Sequence, residues 1–173
     1  MAFPSTVSGQ LPGFGPNSAL PPGDYAPDRS DFESRFVRVP SSSTRVDIYG
    51  GWNRHRAALL QAGLPANSRQ LLDGSFTTAK LSPGDLDLAV EVSVTSADYD
   101  SLSSATPVMN LLTGSGMKSD FRCDAYPILV LPASHSDYDT VTLQAISYWL
   151  KWFGKARDGS AKGRVWATVG GLS

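Results

Sequence analysis

The fold is decided by residues 71–94, LLDGSFTTAKLSPGDLDLAVEVSV, which end in an alternating run with the period of a β-strand. Apolar side chains at every second position from Leu86 to Val94 point to one side of this strand. Asp85 and Asp87 point to the other side, one pleat apart, where two carboxylates can bind one hard cation or bridge a pair of cations. The alternative is a surface strand with solvated acids, but the apolar residue between the two acids favours a strand with a buried back.

A Gly-Ser pair precedes the acids and follows a strand that is predicted to end near Asp73. Glycine lets the backbone turn sharply and approach a ligand closely. Backbone N–H groups at such a turn, where it opens onto a helix, favour phosphate. The stretch therefore predicts a phosphate-binding turn at Gly74 and Ser75 beside a pair of metal-binding acids.

This pattern, Gly-Ser followed about ten residues later by Asp-x-Asp on a strand, resembles the signature of the nucleotidyltransferase superfamily that includes DNA polymerase β. The resemblance implies catalytic and metal-binding roles for Asp85 and Asp87, together with a third carboxylate on a later strand. It also implies two Mg²⁺ or Mn²⁺ ions as cofactors, and nucleotide binding by Gly74, Ser75 and Lys80.

The third carboxylate is predicted at Asp124, inside a strand candidate at residues 121–131, FRCDAYPILVL. An acid among apolar neighbours on a buried strand costs free energy unless it is paired or bound to metal. By its context Asp124 matches the third acid of polymerase-β-like enzymes. Asp120 is the runner-up, but it lies where the strand begins and is expected to be solvated. Pro127 implies that the strand is interrupted or lies at a sheet edge beyond that point.

The resemblance covers most of the chain from residue 20 onward and extends to a set of small bacterial and phage proteins that resemble minimal nucleotidyltransferases. It is carried by Leu20-Pro21-Pro22-Gly23, a helix with Trp52, residues 73–80 with Pro83-Gly84-Asp85, and Tyr148-Trp149 followed by Lys162-Gly163. Small relatives with this core include toxins of toxin–antitoxin pairs that transfer nucleotides to tRNA or protein. The implied partners are a nucleoside triphosphate, a tRNA or protein acceptor, and a cognate antitoxin.

Length and composition favour one domain, because 173 residues with 41% apolar side chains can build a single core. Residues 31–173 are predicted to form this domain, and residues 1–30 a Pro/Gly-rich arm that lies across it or reaches a second subunit. A net charge of −1 gives no argument for or against nucleic acid. The single cysteine, Cys123, and the lack of a signal peptide or membrane-spanning apolar run predict a cytoplasmic protein without a membrane partner.

The predicted fold class is α/β (α+β), with a small mixed sheet of at least three strands and helices packed on one face. The open face would carry Asp85, Asp87 and Asp124. Helices are predicted at residues 45–63 and 141–153, and further strands at residues 69–73 and 164–169. The basic segment 155–164 is interpreted equally well as a binding site for triphosphate or RNA and as a solvated tail. Tyr148 and Trp152 lie off the apolar stripe of their helix, where they can stack on a base or simply pack.

Together these patterns predict a metal-dependent nucleotidyltransferase that uses RNA, protein or a small-molecule hydroxyl as acceptor. Asp124 would serve the ion that activates the attacking hydroxyl. Two other hypotheses stay open. One is a non-catalytic nucleotide-binding or assembly module, such as an antitoxin or a phage partner protein. The other is an aminoglycoside-modifying enzyme, which would usually need a second domain to hold the drug.

Overall fold

The computed structural model describes residues 3–39, 41–101 and 106–172, which form a six-stranded mixed sheet and its covering helices. The strands are β1 (Val7–Ser8), β2 (Asp24–Ala26), β3 (Arg69–Asp73), β4 (Leu86–Ser93), β5 (Cys123–Val130) and β6 (Arg164–Thr168). The α-helices are α1 (Arg29–Phe32), α2 (Arg45–Gln61), α3 (Ser96–Asp100), α4 (Pro107–Asn110), α5 (Lys118–Phe121) and α6 (Gln144–Phe153). Glu33–Val37 and Tyr138–Leu143 are π-helical, and Ser75–Thr77 and Ser115–Met117 are 3₁₀-helical. The predicted mixed α/β class is confirmed.

The strands follow the order β1-β2-β6-β3-β4-β5, so β3 and β4 lie inside the sheet. β3 is antiparallel to both β4 and β6, whereas β5 pairs with β4 in parallel. Because β5 is an edge strand, Pro127 can stand opposite Val90 without removing a hydrogen bond that the interior of a sheet would need. The sequence had indicated an interruption or an edge at this proline, and the structure has the edge.

Helices cover both faces of the sheet, so the prediction that they pack on one face is wrong. On the first face, Ile48, Trp52 and Leu59 of α2 pack in one cluster with Leu72, Leu86, Leu88 and Val90. On the second face, Ile146 and Phe153 of α6 pack with Leu71, Ala89, Ile128 and Trp166. The physical reason is that α6 and the second face each carry an apolar surface that must be buried.

The amino-terminal segment is built into the sheet, although its prolines and glycines had predicted no strand. β2 pairs in parallel with β6, and β1 pairs in parallel with β2. Asp24 fixes this register, because it accepts hydrogen bonds at 2.8 and 2.6 Å from the Arg164 guanidinium and at 2.8 Å from Trp166 Nε1. Leu11 and Leu20 are buried in the core on the α2 side.

The helices in the described ranges are all too short or too polar to cross a membrane.

Candidate active site

Three aspartates from neighbouring strands lie side by side at one end of the sheet. Asp73 on β3 stands opposite Asp87 on β4, and Asp87 stands opposite Asp124 on β5. Their strand neighbours point into the core on the α2 side, so the three carboxylates point to the second face. Asp85 lies one residue before β4 at the same end. The structure thus brings together Asp85, Asp87 and Asp124, the three acids selected from the sequence, and adds Asp73, which had been assigned no role.

Gly74 occupies a backbone position that only glycine can fill beside Asp87. Its φ is +80°, in the left-handed region, and a Cβ built there would lie 1.9 Å from Asp87 Oδ2. The close approach expected of this glycine is therefore made, and the group that it approaches is a carboxylate. The helix predicted after the turn is only the 3₁₀ segment Ser75–Thr77, because the next residue, Thr78, is already extended.

The loop that follows this turn is held by Arg45, a buried guanidinium at the start of α2. Nη1 donates to the carbonyl oxygens of Phe36 and Phe76 at 2.8 and 2.7 Å. Nη2 donates to those of Thr78 and Lys80 at 2.7 and 2.5 Å. Four carbonyl dipoles stand in for the carboxylate that a buried arginine usually needs. The sequence carried no signal for this role.

The charge of the acid cluster is only partly balanced. Lys118 Nζ lies 2.6 Å from Asp85 Oδ2 and 3.2 Å from Asp124 Oδ2. The other oxygen of Asp124, Oδ1, is buried and finds no hydrogen-bond partner in the described part of the chain. Among the same residues, no basic side chain forms an ion pair with Asp87. The cluster thus carries an excess of negative charge in a partly desolvated place.

Burial and the neighbouring charges shift the pKa of two carboxylates. Burial first, and then repulsion from Asp85 and Asp124, raises the pKa of Asp87 to about 6. Burial also raises the pKa of Asp73 to about 6, although Lys162 Nζ lies 2.5 Å from its Oδ1 and acts in the opposite direction. Both groups therefore titrate close to neutral pH, which is common at functional sites.

A pocket of about 760 Å³ opens in front of the acids. Its lining includes three acids with the Gly-Ser pair and four basic residues: Asp73, Asp85, Asp87, Gly74 and Ser75, and Lys80, Lys155, Arg157 and Lys162. Three basic residues of the segment 155–164 thus line the pocket, although residues 155 and 157–161 are exposed to solvent. Trp152 lines the pocket as well, with 64% of its surface exposed and its ring within 5° of parallel to that of Tyr148. Asp124, beside Asp87 in the sheet, is not part of the lining.

A family model matches residues 12–168, which include every strand except β1. The chain belongs to DUF6932, a family of unknown function. No curated protein and no solved structure matches the chain.

The residues of this DUF6932 protein fit a divalent cation in chemistry and charge. Carboxylate oxygens are the ligands that Mg²⁺ prefers. Among the residues that the structure describes, the Asp87 carboxylate forms no ion pair and the buried Oδ1 of Asp124 has no hydrogen-bond partner. The arrangement does not yet surround an ion: within the described ranges, no three His, Cys, Asp or Glu side chains are grouped to hold one. The ammonium of Lys118 lies between two of the acids instead.

Mg²⁺ is expected to raise the melting temperature more at pH 7.5 than at pH 5. Since the pKa of Asp87 lies near 6, its carboxylate is largely ionised at pH 7.5 and largely protonated at pH 5. Millimolar Mg²⁺ should add about 3–6 °C at the higher pH and much less at the lower one. Differential scanning calorimetry at matched ionic strength measures this, and equal shifts at both pH values would contradict it.

Proposed function

We propose that this DUF6932 protein is a metal-dependent nucleotidyltransferase that moves a nucleoside monophosphate from a nucleoside triphosphate to a hydroxyl group. One observation carries the proposal: three acids, Asp73, Asp85 and Asp87, line a single pocket together with a basic wall formed by Lys80, Lys155, Arg157 and Lys162, and the volume of this pocket, about 760 Å³, suits a nucleotide. An anionic triphosphate needs the basic wall, and a divalent cation needs the acids. Both kinds of side chain line the same cavity.

The basic wall offers three cations for the phosphates. Lys162 is engaged with Asp73, whereas Lys80, Lys155 and Arg157 line the pocket without being paired to the acids in the described structure. Gly74 and Ser75 bring backbone close to the acids, where the phosphates would lie. Charge neutralisation and positioning of this kind supply most of the rate in phosphoryl transfer.

A divalent cation held at Asp87, in the cluster with Asp85 and Asp124, would neutralise the charge that develops on the transferred phosphoryl group. Asp124 stands next to Asp87 in the sheet, and its Oδ1 has no hydrogen-bond partner in the described residues, so this oxygen is available to the ion that would activate the acceptor hydroxyl. The oxygen of the acceptor hydroxyl would form a bond to the α-phosphorus as the bond to the pyrophosphate oxygen breaks in line, and the hydroxyl proton would be released to solvent. The exposed ring of Trp152 offers a face on which the base can stack.

The acceptor and the biological role rest on the sequence resemblance. RNA (with tRNA foremost), a protein and a small-molecule hydroxyl are the candidate acceptors. A role as the toxin of a toxin–antitoxin pair or of a phage–host conflict, with a cognate antitoxin as partner, belongs to the same proposal. A cytoplasmic site of action belongs to the same proposal, and it is supported by the single cysteine, Cys123, which allows no internal disulfide.

Incubation with each labelled nucleoside triphosphate, Mg²⁺ and whole-cell RNA or protein tests the proposal. Label should enter one macromolecular fraction, and it should enter only when both Mg²⁺ and the wild-type chain are present. Chelation of the metal should stop incorporation. If no triphosphate labels RNA, protein or small-molecule hydroxyls, the transferase proposal is rejected.

A second candidate function is a non-catalytic nucleotide-binding or assembly module. It is favoured by Lys118, whose ammonium lies between Asp85 and Asp124 where a catalytic ion is expected. Calorimetry with nucleoside triphosphates and Mg²⁺ separates the two candidates. Binding without turnover on any acceptor would support the module, whereas binding with transfer would support the enzyme.

A further inference from the structure

Lys118 is attached to the acid cluster from outside the sheet. It is the first residue of α5, and its side chain remains 45% exposed while its ammonium reaches two carboxylates. These carboxylates come from separate elements, Asp85 from the loop before β4 and Asp124 from β5. The lysine therefore bridges two groups that the backbone alone does not join.

The acids of the cluster differ in whether a basic side chain pairs with them. Asp85 and Asp124 share the positive charge of Lys118, at 2.6 and 3.2 Å. Asp87 stands beside Asp124 in the sheet and lines the pocket, and within the described chain no basic group pairs with it. A carboxylate without a partner attracts an added cation, whereas two carboxylates that already share an ammonium attract it less.

We propose that the Lys118 ammonium takes the place of one of two divalent ions, so that the site binds a single ion at Asp87. The sequence resemblance implied two ions. The inference rests on the proposed function in one respect, namely that a divalent ion binds this cluster. Lys118 acts as a positioning residue, because it holds the carboxylates of Asp85 and Asp124 together.

Electrostatics support a single ion. A second divalent ion on Asp85 and Asp124 would lie within a few ångströms of the ammonium, and like charges so close repel strongly in a partly desolvated site. The ion would have to displace a side chain that is tethered to the protein and therefore present at high effective concentration. A lysine suits this place because its ammonium is a compact point charge, which resembles a metal ion more than a planar guanidinium does.

Counting bound Mn²⁺ tests the inference without reference to activity. Free Mn²⁺ is measured by electron paramagnetic resonance during titration of the wild type, Lys118→Met and Lys151→Met. The wild type should bind one ion per chain at this site and Lys118→Met should bind two, with the added ion held at least about tenfold tighter than any second ion of the wild type. Lys151 is an exposed lysine of α6, so Lys151→Met should match the wild type.

The same comparison in a chain that also carries Asp124→Asn shows where the added ion binds. In Asp124→Asn chains, replacement of Lys118 by Met should add no ion, because one of the two freed carboxylates is gone. Circular dichroism confirms that each variant is folded, and Lys118→Gln replaces Lys118→Met if the latter is not.

The inference is overturned if the wild type binds two ions or none, or if the Lys118 variants bind no more ions than the wild type. Its failure differs from that of the transferase proposal. Labelled transfer with two ions in the wild type would reject the role of Lys118 and keep the enzyme. An ion count of one in the wild type and two in the variant, without any transfer, would reject the enzyme and keep the role of Lys118.

Discussion

Asp87→Asn is expected to abolish nucleotide transfer while the chain stays folded. The substitution keeps the shape of the side chain and removes the carboxylate that lines the pocket without a basic partner among the described residues. Loss of a metal-binding charge at a phosphoryl-transfer site should lower the rate by about a thousandfold or more. Incorporation of labelled nucleotide measures the effect, and full activity in this variant would remove the transferase hypothesis.

The same variant should be more stable than the wild type at pH 7.5 when no metal is present. The folded-state pKa of Asp87 is raised to about 6, so the folded wild type holds its proton more tightly than the unfolded chain does. Its stability therefore falls as pH rises from about 4 to about 6, by on the order of 2 kcal/mol, and the loss persists above pH 6. Asn carries no such penalty, so the difference in melting temperature should shrink towards pH 4.

Glu91→Gln is the matched control for Asp87→Asn. Glu91 lies on the same strand and the same face, four residues along, and its carboxylate is 3.2 Å from Arg69 Nε at the end remote from the acids. Transfer should be unchanged in this variant, since a partly exposed ion pair of this kind contributes little. A loss as large as that of Asp87→Asn would mean that the effect is not specific to the cluster.

Arg45→Met is expected to cost about 3–5 kcal/mol of folding free energy. Arg45 is 1% exposed and its guanidinium donates to four carbonyl oxygens. Without it, the buried carbonyls of Phe36 and Phe76 would be left without donors, and the partly buried carbonyls of Thr78 and Lys80 would lose theirs. Two of these carbonyls, of Thr78 and Lys80, belong to the loop beside the pocket. Nucleotide affinity should therefore fall as well, even where the variant remains folded.

Urea denaturation compares Arg45→Met with Arg54→Met, the same substitution on the same helix. Arg54 makes one exposed hydrogen bond, at 3.2 Å to the carbonyl oxygen of Asp120, so its replacement should cost about 0.5 kcal/mol or less. A loss below about 1 kcal/mol in Arg45→Met would show that the four carbonyls find other partners.

The strands of the acid site could be predicted because their signals are local. Alternation from Leu86 onward sets which face Asp87 takes, and the apolar neighbours of Asp124 place it on a buried strand. The predicted start of β5 was two residues early, because Phe121 ends α5 and Arg122 then turns the chain with φ +57°. The roles of Asp85, Asp87 and Asp124 in catalysis stay a prediction.

The remaining features depend on contacts between distant residues. Lys118 meets Asp85 only because α5 delivers the chain to β5, and Arg45 finds its carbonyls only when the loop after Gly74 is in place. Asp73 belongs to the site because β3 pairs with β4, although an acid at a strand end beside the Gly-Ser pair was a signal that could have been used. The hydrophobic periodicity of a single segment carries no information about which distant segment it will contact. The same holds for β2, whose register follows from Asp24 meeting Arg164.

The position of β6 has a consequence for how the protein is made. β6 follows the other five described strands in the sequence, yet it lies between β2 and β3 in the sheet. Until residues 164–168 have left the ribosome, β1 and β2 have only each other to pair with among the described strands, and Asp24 has neither Arg164 nor Trp166 as a partner. The amino-terminal strands can therefore join the sheet only after residues 164–168 have emerged.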